Sequence, residues 1–244
     1  MEGILCLYQQ PYDPQRPMIC FDEKSQQLLK DSRTPTGLGC GQIRRQDYEY
    51  KRNGTRNLFM FVEPKAGKRH VLTTQRRTKR DFAHAMRYLV DVLYPHAECI
   101  DVVLDNLNTH TYHALVEEFG KPEADRIWQH LAFHYTPPHG SWLNMAEIEL
   151  SILSRQCLRR RLPDEWTLTL EIIAWETTRN AARAKINWSF TVDDARRVFA
   201  PYYPTPLSCC CTSPVFCFLD VYMRGRMIVR IDDESVPILA HNCR

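Results

Sequence analysis

The sequence predicts an α/β domain in which a mixed sheet is covered by helices, and three observations lead there. The first part of the chain alternates like antiparallel strands, from "MICFD" at 18–22 to "DYEYKRNGTRNLFMFVEPKAGKRHVLTT" at 47–74. The second part alternates helices with short apolar strands, "CIDVVLDN" at 99–106 and "HLAFHYTPP" at 130–138. Antiparallel strands followed by such alternation imply a mixed sheet, whose later, fully apolar strands need helices on both faces.

Taken in order, residues 1–17 carry Pro11, Pro14 and Pro17 and read as a linker. "MICFD" then forms a first strand with Met18, Cys20 and Asp22 on one face. Residues 23–48 are rich in Gly and interrupted by Pro, which suggests a surface insertion. The alternating stretch that follows turns at Asn53-Gly54 and at Ala66-Gly67. In "RDFAHAMRYLVDVLY", 80–94, the positions of Phe82, Met86, Leu89, Val90 and Leu93 have helical spacing, stopped by Pro95. "CIDVVLDN" is a buried strand with Val103 and Asp105 on one face. Asn108 or Thr109 can cap a helix over "HTYHALVEEF". After the next strand comes the helix of "HGSWLNMAEIELSIL", 139–153, with Glu147 on the stripe of Leu143, Leu150 and Ser154. Helices continue over "DEWTLTLEIIAWETTRNAAR" and "TVDDARRVFA". The order is that of a ribonuclease-H-like domain with a helical C-terminal extension.

The expected division is a linker remnant at 1–17, the sheet domain at 18–160, the helical extension at 161–206 and a cysteine-rich tail at 207–244, disordered or frame-shifted. Five of the ten cysteines crowd that tail, and the other five are scattered, which favours reduced thiols. Cys209, Cys211, Cys217, His241 and Cys243 lack the CxxC spacing of a zinc site. The formal net charge of +3 is too small to indicate a polyanion partner by itself. No apolar run approaches the length of a membrane span and no signal peptide opens the chain, so a cytoplasmic location is expected.

Three acids occupy telling positions: Asp22 ending the first strand, Asp105 ending the fourth, and Glu147 one turn into the helix after the fifth. Were those strands neighbours, the three carboxylates would converge. Two unit charges about 4 Å apart repel by roughly 4 kcal/mol even at an effective dielectric near 20, so convergence calls for a cation. Hard oxygen donors suit Mg²⁺ or Mn²⁺, and two such ions suit phosphoryl transfer on nucleic acid. Each acid also has a plain structural reading: Asp105 as a strand terminator, Asp22 paired with Lys24 or Arg44, Glu147 as a boundary residue beside a solvated Glu149. Of the basic runs "RRTKR", "KRNGTR" and "RQCLRRR", the candidates for holding DNA phosphates are Arg76, Arg77, Lys79, Arg80, Arg155, Arg159 and Arg160. The five tryptophans, Trp128, Trp142, Trp166, Trp175 and Trp188, are expected to pack the core.

"CFDEKSQQLL", "VVLDNLNTHT" and "FHYTPPHGSWLNMAEIELSILSRQCL" closely resemble the three catalytic blocks of the insertion sequence 630 family of transposases, within the mariner-like DDE superfamily. The likeness runs over about residues 3 to 200. It implies that Asp22, Asp105 and Glu147 are the catalytic triad, binding two Mg²⁺ or Mn²⁺ ions. It further implies cleavage of transposon ends by hydrolysis and joining of the 3′ hydroxyl to double-stranded target DNA at a TA-containing site. Glu23, Asn106, His139 and Asn144 fall at adjacent motif positions, with supporting roles. Members of the family carry helix-turn-helix modules ahead of the catalytic domain, so a separately encoded helix-turn-helix half, a homodimer on DNA and a bacterial, nucleoid-associated location are implied too. From another class, the alternative is an inactive remnant of a decayed element that at most binds DNA non-specifically.

Overall fold

The computed structural model describes residues 1–33 and 47–203, with the backbone of residues 230–231. Five strands form the main sheet: β1 (Met18–Asp31), β2 (Tyr50–Glu63), β3 (Lys68–Thr74), β4 (Ile100–Leu104) and β5 (Leu131–Tyr135), in the order β3-β2-β1-β4-β5. β1 pairs antiparallel with β2 and parallel with β4, β2 pairs antiparallel with β3, and β4 runs parallel with β5. The sheet is mixed and flanked by helices, a ribonuclease-H-like fold.

The two-residue period of the strands sorts the core into two layers. Cys20, Leu58, Met60, Val62 and Val103 face one side, where α1 (Glu2–Gln9), α5 (Met145–Gln156), α6 (Glu165–Ala181) and α7 (Val192–Val198) contribute Leu5, Leu150, Leu153, Ile172 and Ala195. Ile19, Phe21, Phe59, Phe61, Val102 and Leu104 face the other side, against Phe82, Met86, Leu115 and Ile127 of α2 (Lys79–Tyr88), α3 (Tyr112–Phe119) and α4 (Lys121–Gln129). Odd and even positions of one strand thus serve different cores. Capping boxes, Thr78 with Asp81 and Thr191 with Asp194, start α2 and α7, and the carboxyl of Asp164 caps α6.

The structure revises several sequence expectations. Residues 2–9, read as linker, are helix α1, with Ile4, Leu5, Leu7 and Tyr8 buried; the prolines that suggested extended chain begin only after it. The first strand does not end at Asp22. It continues to Asp31 as a long arm, where polar side chains are tolerated because much of its surface is open to solvent, and the Leu29 amide donates to Leu162 O at 2.8 Å. Asn53-Gly54 makes no hairpin turn; it lies at a bulge in β2, where the register slips between Gln27 and Leu29 and Gly54 takes φ +89°. Ala66-Gly67 does turn the chain between β2 and β3. Gly67 has φ +68°, and a Cβ there would stand 2.4 Å from Arg183 O. Thr111, not Asn108 or Thr109, is the N-cap of α3, and α4 adds a helix that the sequence reading lacked. Trp166 is 72% exposed rather than core. The tail's cysteines, His241 and Arg44 lie outside the described residues. Among the described residues no helix is long and apolar enough to cross a membrane, and Cys6, Cys20, Cys99 and Cys157 are free thiols.

Candidate active site

The site is built where the parallel pairing of the two central strands ends. β1 and β4 are parallel with Met18 opposite Asp101, Ile19 opposite Val102 and Cys20 opposite Val103. Two residues beyond the last of these pairs come Asp22, on the parity of Cys20 and so toward the face that α5 covers, and Asp105, just past the end of β4. Crevices at the carboxyl ends of parallel strands are where open α/β sheets place ligands.

Glu147 is brought to the same place by its helix cap. Asn144 is buried, accepts from the Ala146 amide at 3.1 Å to cap α5, and donates through Nδ2 to Phe21 O at 2.8 Å. One side chain thereby starts the helix and ties it to the residue before Asp22. Tyr8 of α1 donates to Leu143 O, holding the turn from the other side. That turn is tight: His139 has φ +60°, and a Cβ on Gly140 would lie 2.7 Å from Pro137 Cγ. Glu147 in the first helical turn is exposed, so the apolar stripe on which the sequence reading put it is in fact interrupted there.

The next carboxylate, Glu149, expected to be solvated, is fully buried. It pairs with Arg179 Nε at 2.6 Å and Arg69 Nε at 3.0 Å, cross-linking α5 to α6 and β3. The two glutamates, two positions apart, point to opposite environments, and the buried ion triad sets the rotation of the helix that presents Glu147 outward.

Electrostatically the three acids share one field. Burial pushes the Asp22 carboxyl up to about 7, the Glu23 amide donating to its Oδ1 at 2.7 Å opposes this, and the charges of Asp105, Glu147 and Glu23 push it further up. Glu147 is also raised, by desolvation and then by Asp105. Among the described residues no three His, Cys, Asp or Glu groups are drawn tightly enough to enclose a metal ion as they stand. A Coulomb field reaches further than a coordination bond, so the acids feel one another at longer range than that. In chemistry the donor set fits a hard divalent ion: carboxylate oxygens only, open on the Glu147 side.

Sequence reasoning missed His110, five residues past Asp105. Its imidazole is buried against Phe21 and Phe82, with Nδ1 2.9 Å from Asp105 Oδ1 and Nε2 2.9 Å from Glu23 Oε1. Burial alone would lower its pKa; the bonds to Asp105 and Glu23 outweigh that and push it up to about 9. At neutral pH both ring nitrogens therefore donate. Nothing periodic in "LDNLNTHT" announces this, because the partner Glu23 lies 87 residues away. Of the motif neighbours, Glu23 and Asn144 have the contacts just described, whereas Asn106 and His139 are exposed.

The basic candidates divide. Arg76, Arg77, Arg155 and Arg159 are exposed and, among the described residues, have no ion pair. Lys79 pairs with Glu117 at 3.5 Å, Arg80 with Glu118 at 2.9 Å, and Arg160 with Glu171. Of the cavities, one of about 360 Å³ is lined by Tyr8, Tyr12, Lys65, Met145, Lys185 and Trp188, among others. It contains none of the three acids.

Residues 17–169 match the family described as DDE superfamily endonuclease. Among solved structures the chain is similar to a pre-cleavage Mos1 transpososome, with 12% identity and a TM-score of 0.50, over 72% of this chain and 52% of that one. It is also similar to the Mos1 mariner paired-end complex with Mn, with 14% identity and a TM-score of 0.49, over the same shares. At such identities the likeness concerns the fold alone, and the chain spans about half the length of those proteins. No curated protein matches it.

Proposed function

The chain belongs to the DDE superfamily of endonucleases, and from that premise we propose that it is the catalytic domain of a transposase of the insertion sequence 630 kind, cutting and joining double-stranded DNA. Asp22, Asp105 and Glu147 are its catalytic carboxylates and hold two Mg²⁺ or Mn²⁺ ions. The observation that carries this reading is the placement of Asp22 and Asp105 two residues beyond the last parallel pair of β1 and β4, with the Asn144 cap tying the helix of Glu147 to β1. When bound, two divalent ions activate a water or a 3′ hydroxyl and stabilise the departing oxygen of a phosphodiester. The protein's own part is positional. Asp22, on β1, and Asp105, just past the end of β4, set the spacing of the negative charge. Glu147, exposed at a helix N-terminus, closes the site from the solvent side. Arg76, Arg77, Arg155 and Arg159 face solvent and are available to hold DNA phosphates without reading sequence. A TA-containing target and a homodimer on DNA complete the proposal. The test is nicking and strand transfer on duplex oligonucleotides in Mg²⁺ and Mn²⁺, with Asp105→Asn as control. Loss of both activities in a folded Asp105→Asn protein is expected; retained strand transfer refutes the assignment.

A further inference from the structure

We propose that His110 is the positioning residue of this site: its Nδ1–H holds one oxygen of Asp105 so that the other is presented to a divalent cation. The inference rests on the metal reading above and adds a residue to it. The observations are geometric. Nδ1 reaches both the carboxylate of Asp105, at 2.9 Å, and its carbonyl, at 3.1 Å, so the ring grips side chain and backbone of the same residue. The ring itself cannot swing. Its far nitrogen is bonded to Glu23 Oε1 at 2.9 Å, it packs against Phe21 and Phe82 at ring-centroid distances of 5.6 and 4.7 Å, and the backbone carbonyl of His110 accepts from Tyr135 OH at 2.9 Å. His110 and the Glu23 side chain are 1% and 5% exposed, whereas Asp105 is 32% exposed: a buried clasp holds a half-open carboxylate.

The position matters because Asp105 stands just past the end of β4, where strand pairing no longer restrains it. A carboxylate on a loop samples several rotamers, and a hydrogen bond to one oxygen selects among them, as the outer contacts of metal-binding carboxylates generally do. Glu23 lies beside Asp22 on β1, so the Glu23–His110–Asp105 chain also links the two strands that carry the first two acids.

Two substitutions separate the two ends of the ring. In His110→Asn the side-chain amide replaces Nδ1 and can keep the bond to Asp105; in His110→Gln the amide reaches the place of Nε2 and can keep only the bond to Glu23. Mn²⁺ affinity is measured on the full chain by electron paramagnetic resonance of free Mn²⁺, after circular dichroism and melting in EDTA confirm folding. The expected result is a loss of about 10-fold or more for His110→Gln and less than about 3-fold for His110→Asn. Equal affinities in the two variants overturn the proposal. A second measurement needs no variant: the His110 Nδ1–H should give a slowly exchanging ring resonance that moves on adding Mg²⁺, and a signal unmoved by saturating Mg²⁺ overturns it as well. If the unaltered chain binds no Mn²⁺, the metal reading itself falls and this proposal with it. If it binds Mn²⁺ in a manner abolished by Asp105→Asn but indifferent to His110→Gln, only the positioning role is lost.

Discussion

Asp22→Asn should make the metal-free protein more stable, although it removes a residue of the site. The Asp22 carboxyl titrates at about 7 instead of 3.8, through burial first and the charges of Asp105, Glu147 and Glu23 in addition. Because the folded state binds the proton more tightly than the unfolded state does, the associated stability is complete below about pH 3.8 and is lost as pH rises through 7. The gap is about three powers of ten in proton affinity at ~1.4 kcal/mol each, which sets a ceiling of about 4 kcal/mol. Residual solvent contact reduces this, and the substituted amide can still accept from the Glu23 amide. A gain of about 1 to 3 kcal/mol near pH 8 in EDTA is expected, or roughly 2 to 10 °C in melting temperature for a chain of this size. The assay is thermal unfolding of both proteins between about pH 5 and 8, in EDTA and in Mg²⁺. The advantage of the variant should shrink toward pH 5, and Mg²⁺ should raise the melting temperature of the unaltered protein alone, as a ligand of the folded state must. A variant that is equally or less stable at every pH refutes the claim that uncompensated negative charge is stored at Asp22.

Further outcomes follow from the same contacts. Glu149→Gln removes the buried carboxylate that Arg69 and Arg179 share and should cost about 3 to 5 kcal/mol in urea unfolding; a loss below about 1 kcal/mol would show the triad to be dispensable. Burial alone would raise the Asp101 carboxyl, but bonds from His134 Nε2 at 2.7 Å and Arg16 Nε at 2.6 Å outweigh it and hold it at about 2. Its contribution is therefore present above pH 3.8 and lost as pH falls through about 2, and Asp101→Asn should flatten the acid limb of the stability curve by about 2 kcal/mol. Gly140→Ala drives a Cβ to 2.7 Å from Pro137 Cγ in the turn that delivers Asn144, and should cost about 1 to 3 kcal/mol together with cleavage activity. Arg159→Ala should weaken binding to any duplex alike and reduce its salt dependence, without changing sequence preference.

Much of this was legible in the chain, for identifiable reasons. The five central strands and the helices beginning near residues 80, 145, 165 and 192 have strong periods or caps, and the structure contains all of them. The three acids stood out because an ionisable residue at the end of an apolar run is conspicuous. Other features carried the wrong local signal. Asn53-Gly54 looks like a hairpin turn, yet the pairing of β1 with β2 continues past it and converts it to a bulge. Residues 2–9 precede a proline-rich stretch, and their burial depends on α5 and α7, which are far along the chain. Glu149 reads as a surface glutamate until Arg69 and Arg179 arrive from other elements.

The amino-acid order alone determined which positions alternate, which spiral and which carry charge, because such properties depend on neighbours a few residues away. Tertiary structure alone decided which ends of which segments meet: β1 beside β4, Asn144 on Phe21 O, His110 between Glu23 and Asp105. Apart from the short reach of His110 to Asp105, these contacts span 87 to 123 residues or join whole strands, and forming them means closing long loops. Only the burial of two complete apolar faces of the sheet offsets that entropy, so no local pattern can announce them.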